Sequence, residues 1–206
     1  MNEEHITFAA GDLALEGLVA NPGGGARAAV VCHPHPLYGG SMFNNVVEAI
    51  LAPLWQLGYA TLRFNFRGVG ASEGEHDGGV GEIDDALQAL TFLQSQDGVR
   101  AENAVMAGYS FGAAVAMEAG LRAADVRQII AVALPIAMLP PLSTDRALKP
   151  ILLASGDRDS YSPIPKLEEL VTKLDGAAQL QVVPGADHFF GGYENALSAA
   201  IKSVIG

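Results

Sequence analysis

An open, mostly parallel α/β sheet of about eight strands, with helices on both faces, is the fold class that this sequence predicts. Three observations carry it: short apolar runs alternate with helix-like stretches along the chain, one serine sits on a glycine-flanked junction between such a run and such a stretch, and acidic and histidine residues follow two later runs. The first two strands, residues 5–8 and 13–19, form a hairpin turning at Gly11-Asp12. Asn21-Pro22-Gly23-Gly24-Gly25 is a turn leading to a third strand near Ala28, rather than a domain boundary. Further strands are expected near Thr61, Ala104, Ile129, Ile151 and Gln179, with helices over 44–56, 81–95, 111–121, 165–174 and 193–204. No repeat or linker interrupts the pattern, so residues 1–206 are expected to form one domain. In sheets of this kind ligands bind beyond the carboxyl ends of the strands.

Residues 108–112 read Gly108-Tyr109-Ser110-Phe111-Gly112, a G-x-S-x-G pentapeptide. Before it runs the short apolar segment Asn103-Ala104-Val105-Met106-Ala107; after it runs Ala113-Ala114-Val115-Ala116-Met117, rich in helix formers. A sharp strand-to-helix turn there holds Ser110 in a strained conformation with its hydroxyl exposed, which makes Ser110 the candidate nucleophile. A serine hydroxyl is a poor nucleophile at neutral pH and needs a base oriented by a carboxylate. His188, the only histidine after Ser110, lies in the loop after the last predicted strand. Between them Gly156-Asp157-Arg158-Asp159-Ser160 follows the strand at Ile151 and offers two carboxylates, one of which is expected to act only as a turn former. The order Ser, Asp, His, each after a strand, differs from the chymotrypsin and subtilisin orders.

His33 and His35 with Cys32, and Glu73, Glu75, His76 and Asp77, contain metal-ligating residue types, but no spacing of a known ligand set. Cys32 reads as a small apolar residue in a buried strand, and the two histidines after it as loop-shaping groups bonded to backbone. Neither metal nor cofactor is expected. Glu82, Asp84 and Asp85 suit the amino-terminal end of the predicted helix, where Arg67 is expected to pair with one of them.

Composition agrees with an enzyme domain. The chain has 206 residues, half of them hydrophobic, enough for a sizeable core. One cysteine excludes an intrachain disulfide and fits a reducing, cytoplasmic compartment. The acidic start, Met1-Asn2-Glu3-Glu4-His5, is unlike a secretory leader, and the longest apolar run, 129–139, is too short to span a bilayer and contains Pro135. A net charge of −11 argues against nucleic acid or an anionic membrane as partner. Monomer and homodimer are both left open.

With these motifs in place the chain resembles the α/β-hydrolase superfamily, nearest to compact, lidless bacterial esterase-like hydrolases related to the dienelactone hydrolase group. Cys32-His33-Pro34-His35-Pro36-Leu37-Tyr38-Gly39-Gly40 resembles the oxyanion loop after the third strand. Residues 63–72, Arg63-Phe64-Asn65-Phe66-Arg67-Gly68-Val69-Gly70-Ala71-Ser72, resemble the D-x-R-G-x-G-x-S segment after the fourth, with Asn65 in place of the usual aspartate at little expected cost. Dienelactone hydrolases carry cysteine where this chain has Ser110, so their substrate is not transferred.

The resemblance implies the α/β-hydrolase fold, and a spacing of Gly156, Asp159 and Pro163 that favours Asp159 over Asp157 as the acid. It implies an oxyanion hole made by the backbone amides of Phe111 and His35, with Leu37 or Tyr38 as alternatives to His35; Pro34 and Pro36 have no N–H to give. Where larger members insert a lid, only residues 135–142 and a few polar residues precede Lys149. Leu37, Tyr38, Phe111, Met138 and Phe189 are expected to line a shallow, open pocket. The activity expected is hydrolysis of small, short-chain carboxylic esters through an acyl-enzyme on Ser110. Amide or peptide cleavage, acyl transfer, perhydrolysis and a catalytically silent ligand-binding role are the alternatives.

Overall fold

In a computed structural model, which describes residues 2–139 and 149–206, the apolar runs become eight strands of one sheet in the order β1-β2-β4-β3-β5-β6-β7-β8. They are β1 (Glu4–Ala10), β2 (Leu13–Ala20), β3 (Ala26–Cys32), β4 (Ala60–Phe64), β5 (Val99–Tyr109), β6 (Val126–Val132), β7 (Ile151–Gly156) and β8 (Ala178–Val183). β1 and β2 form the expected hairpin, β2 pairs antiparallel with β4, and every later pairing is parallel.

The strands from β3 to β7 are buried on both faces, which is why they read as continuous apolar runs rather than alternating ones. Successive residues point to opposite sides. Val30, Met106, Ile129 and Leu153 face α2 (Val80–Gln94), α3 (Phe111–Arg122) and α4 (Ile164–Lys173), which bury Leu90, Met117 and Leu167 against them. Val31, Val105, Ile130 and Leu152 face α1 (Asn45–Gln56) and α5 (Glu194–Ile205), which supply Ile50, Leu54, Leu197 and Ile201.

Pro53 lies inside α1 and has no N–H to give to the carbonyl of Ala49, four residues earlier. The Ser198 hydroxyl of α5 donates to that carbonyl instead, at 2.7 Å, so the missing helical bond becomes a tie between the two helices on this face.

The segment after β4 is fixed by charge. Arg67 pairs with the buried Asp85 of α2, Nη2 to Oδ1 at 2.7 Å, and its backbone amide donates to the same carboxylate. Asn65 donates from Nδ2 to Glu16 Oε1 at 2.7 Å and accepts the Met42 amide at 2.8 Å. An aspartate at position 65 would set two carboxylates against each other, so the asparagine is matched to Glu16.

Candidate active site

Ser110 stands at the turn between β5 and α3 with φ 54° and ψ −119°, a left-handed conformation that is strained for a residue with a side chain. The flanking glycines make the turn possible. A Cβ on Gly108 would come within 2.0 Å of the Gly112 carbonyl oxygen, and one on Gly112 within 2.4 Å of the carbonyl oxygens of Cys32 and His33. The turn is thus pressed against the end of β3, and the hydroxyl is lifted out at the carboxyl edge of the sheet.

His188 reaches it from the loop after β8, with Nε2 3.0 Å from Ser110 Oγ. Its Nδ1 lies 2.8 Å from Asp159 Oδ2, both side chains being almost entirely buried. An ionised Asp159 can only accept, so the Nδ1 proton belongs to His188 and its Nε2 is free to accept the serine hydroxyl. Asp159 Oδ1 also accepts the amides of Tyr161 at 2.8 Å and Ser162 at 3.0 Å, which fixes the carboxylate plane. Asp157 does not reach His188; its Oδ1 accepts the Gly185 amide at 2.7 Å and ties the β7 and β8 loops together. The expectation that one aspartate acts only as a turn former is modified accordingly: Asp159 caps its own turn as well as meeting His188, whereas Asp157 bonds a distant loop.

The histidine loop has further anchors that sequence reasoning missed. The buried Tyr109 hydroxyl donates to the His188 carbonyl at 2.9 Å, and Asn45 Nδ2 donates to the Phe189 carbonyl at 3.2 Å. Both contacts join residues far apart in the chain, and no local pattern signals them.

In the loop after β3, His33 is buried and bonds backbone at both nitrogens. Nδ1 lies 2.6 Å from the Pro34 carbonyl and Nε2 accepts the Phe66 amide at 3.0 Å. Burial lowers its pKa to about 4, so the ring is neutral at pH 7. His35 begins a 3-10 turn over Pro36–Tyr38, its Nδ1 accepting the Leu37 amide at 3.3 Å and its carbonyl the Tyr38 amide at 3.1 Å. Among the described residues the amides of His35 and Phe111 have no hydrogen-bond acceptor, while those of Leu37 and Tyr38 are engaged.

Leu37, Tyr38, Met138 and Phe189 are all exposed, on loops after β3, β6 and β8. Tyr161 and Phe43, not anticipated from sequence, are exposed large rings of the same kind. Tyr161 lies against His188 with ring centroids 4.7 Å apart. Pro140, Pro141 and Leu142 of the anticipated pocket loop lie outside the described residues.

Of the acidic cluster once open to a metal reading, His76 Nδ1 lies 2.7 Å from Glu82 Oε1, and Glu73 Oε2 accepts the Ala14 amide. Among the described residues no three His, Cys, Asp or Glu side chains converge as a ligand set. Cys32 is fully buried, and burial pushes its thiol pKa up. No helix among the described residues is long and apolar enough to cross a membrane.

An uncharacterized protein of Rickettsia prowazekii (strain Madrid E) is 36% identical over 193 residues, covering 87% of this chain and 79% of that protein. An alpha-beta serine hydrolase homologue from Coxiella burnetii superposes with a TM-score of 0.88 at 34% identity, covering 100% of this chain and 99% of that one. A serine hydrolase of the same fold without a lid, from Xanthomonas campestris, superposes at 0.84 with 29% identity, covering 98% and 93%. Residues 18–164, which include the strained serine turn and the loop of Asp159, match the model of the alpha/beta hydrolase family, and the chain belongs to that family.

Proposed function

We propose that the protein is a serine hydrolase of small carboxylic esters, with Ser110 as nucleophile, His188 as base and then acid, and Asp159 as the group that orients His188. The observation that carries this reading is the continuous relay from Ser110 Oγ to His188 Nε2 at 3.0 Å and from His188 Nδ1 to Asp159 Oδ2 at 2.8 Å. Ser110 Oγ attacks the ester carbon while its proton passes to His188 Nε2. The negative oxygen of the tetrahedral intermediate meets the unengaged amides of Phe111 and His35, the first at the amino end of α3, whose dipole favours an anion. Collapse breaks the bond to the alcohol oxygen, which leaves with the proton from His188. Water then attacks the acyl-enzyme with His188 again taking the proton, and the acid and free serine are released.

The preference for short acyl groups is inferred from the exposure of Leu37, Tyr38, Tyr161 and Phe189 on the loops beyond the strand ends. Labelling the purified protein with a fluorophosphonate, followed by peptide mapping, tests the reading. A single adduct on Ser110, absent in Ser110→Ala, is the expected result; a folded protein that takes no label would rule out an activated serine.

A further inference from the structure

We propose that His35 and His76 form a hydroxyl-binding subsite on the acyl side of Ser110, so that the preferred substrates are esters of short hydroxy-substituted carboxylic acids. The inference rests on the esterase reading above and names its substrate class.

The two sides of the site follow from proton transfer. His188 hands its proton to the departing alcohol, so the leaving group lies beside His188, between the rings of Tyr161 and Phe189 at 4.7 and 5.5 Å from the imidazole. The acyl part extends to the opposite side, past Phe111. There the Phe111 ring is buried under two imidazoles, His35 at 4.9 Å and His76 at 5.4 Å between centroids.

Each of these histidines uses Nδ1 within the protein and keeps Nε2 available. His76 Nδ1 meets Glu82 Oε1 at 2.7 Å. Glu82 is fully buried, which alone would raise its carboxyl, but the amides of Asp77 and Gly79, its own amide and His76 outweigh burial and hold it below the usual carboxylate range. An ionised Glu82 only accepts, so His76 keeps a proton on Nδ1 and leaves its Nε2 to a ligand.

His35 uses its Nδ1 as an acceptor instead. Its pKa is lowered by burial and by His76 beside it, and its Nδ1 accepts from Leu37, so the neutral ring carries its proton on Nε2 as a donor. Neither Nε2 has a partner among the described residues, and neither is sealed from solvent, since the one buried side-chain polar atom there without a partner is Ser162 Oγ.

The Nε2 donor of His35 and the unengaged Nε2 of His76 therefore stand on rings whose centroids are 4.8 Å apart. Two hydrogen bonds of about 2.9 Å let a single oxygen bridge a gap of that order. A hydroxyl both donates and accepts and satisfies the pair. A methyl group satisfies neither ring.

The test compares kcat/KM for the 4-nitrophenyl esters of butyric, 3-hydroxybutyric and succinic acids, the last as its monoester. Wild type is expected to favour the 3-hydroxybutyryl over the butyryl ester by about tenfold. In His76→Phe, which keeps a ring over Phe111 but removes the ring nitrogen, that ratio should fall to about one; the ratio is internal to each protein, and the wild-type value decides alone if the variant does not fold. A wild-type ratio of one, in protein that hydrolyses the butyryl ester and is labelled on Ser110, overturns the subsite and leaves the esterase reading standing. Preference for the succinyl ester overturns it in favour of an anion site. No turnover of any ester, with no label on Ser110, overturns both.

Discussion

Asp157 and Asp159 are separated by one residue, and hydrogen bonds give them different work. Asp159 spends Oδ1 on its own turn and keeps Oδ2 for His188, so the carboxylate cannot rotate without losing three bonds. Asp159→Asn would put an amide where His188 Nδ1–H needs an acceptor and favour the wrong tautomer; kcat is expected to fall about 10⁴-fold. Asp157→Asn removes only charge from the bond to Gly185, and is expected to cost less than about tenfold in kcat and about 1 kcal/mol of stability. Measuring both variants on 4-nitrophenyl butyrate, with urea unfolding alongside, checks the ranking; the reverse order would move the orienting role to Asp157. At this scale the sequence was informative where chemistry is local. The strained serine turn showed itself in its two glycines, whereas only the family resemblance, through the spacing of Gly156, Asp159 and Pro163, pointed to Asp159 over Asp157. Tyr109 and Asn45, which hold the His188 loop from 79 and 144 residues away, left no comparable trace.

The loop after β3 depends on a neutral histidine. His33 accepts the Phe66 amide, and protonation would abolish that bond inside a region closed to water. Its pKa falls from 6.5 to about 4 on folding, mainly through burial. Because the folded-state value is depressed, the stability linked to this group is fully present above pH 6.5 and is lost as the pH falls toward 4, by up to about 3 kcal/mol. Urea unfolding between pH 7 and 4.5 should show this loss, and His33→Gln, though less stable at pH 7, should show a flatter profile; an equally steep one would assign the acid sensitivity elsewhere. Most element boundaries were legible because their causes are local. Asn44 caps α1 by accepting the Val46 amide, and the five helices begin and end within one residue of their anticipated limits. The crossing of β3 between β4 and β5, and the pairing of Arg67 with Asp85 rather than Glu82 or Asp84, are set by packing across the sheet. Local periodicity carries no information on such contacts.

The architecture as a whole bears on which substrates can gain binding energy. Only residues 133–150 separate β6 from β7, and the fold is shared with a lidless hydrolase. The apolar residues Leu37, Tyr38, Tyr161 and Phe189 are exposed already, so among the described residues an oil–water interface finds no cover to displace from them. Each methylene that enters the site gains about 0.8 kcal/mol by leaving water, but a chain that passes the rim stays hydrated and gains nothing. For straight-chain 4-nitrophenyl esters, kcat/KM is therefore expected to peak at acyl lengths of about two to four carbons and to decline toward eight and beyond. Initial rates should follow a smooth saturation curve through the solubility limit of the substrate. A rate jump at that limit, or a preference for long-chain triglycerides, would require a covering element over Ser110, and so would overturn the reading of this site as permanently open.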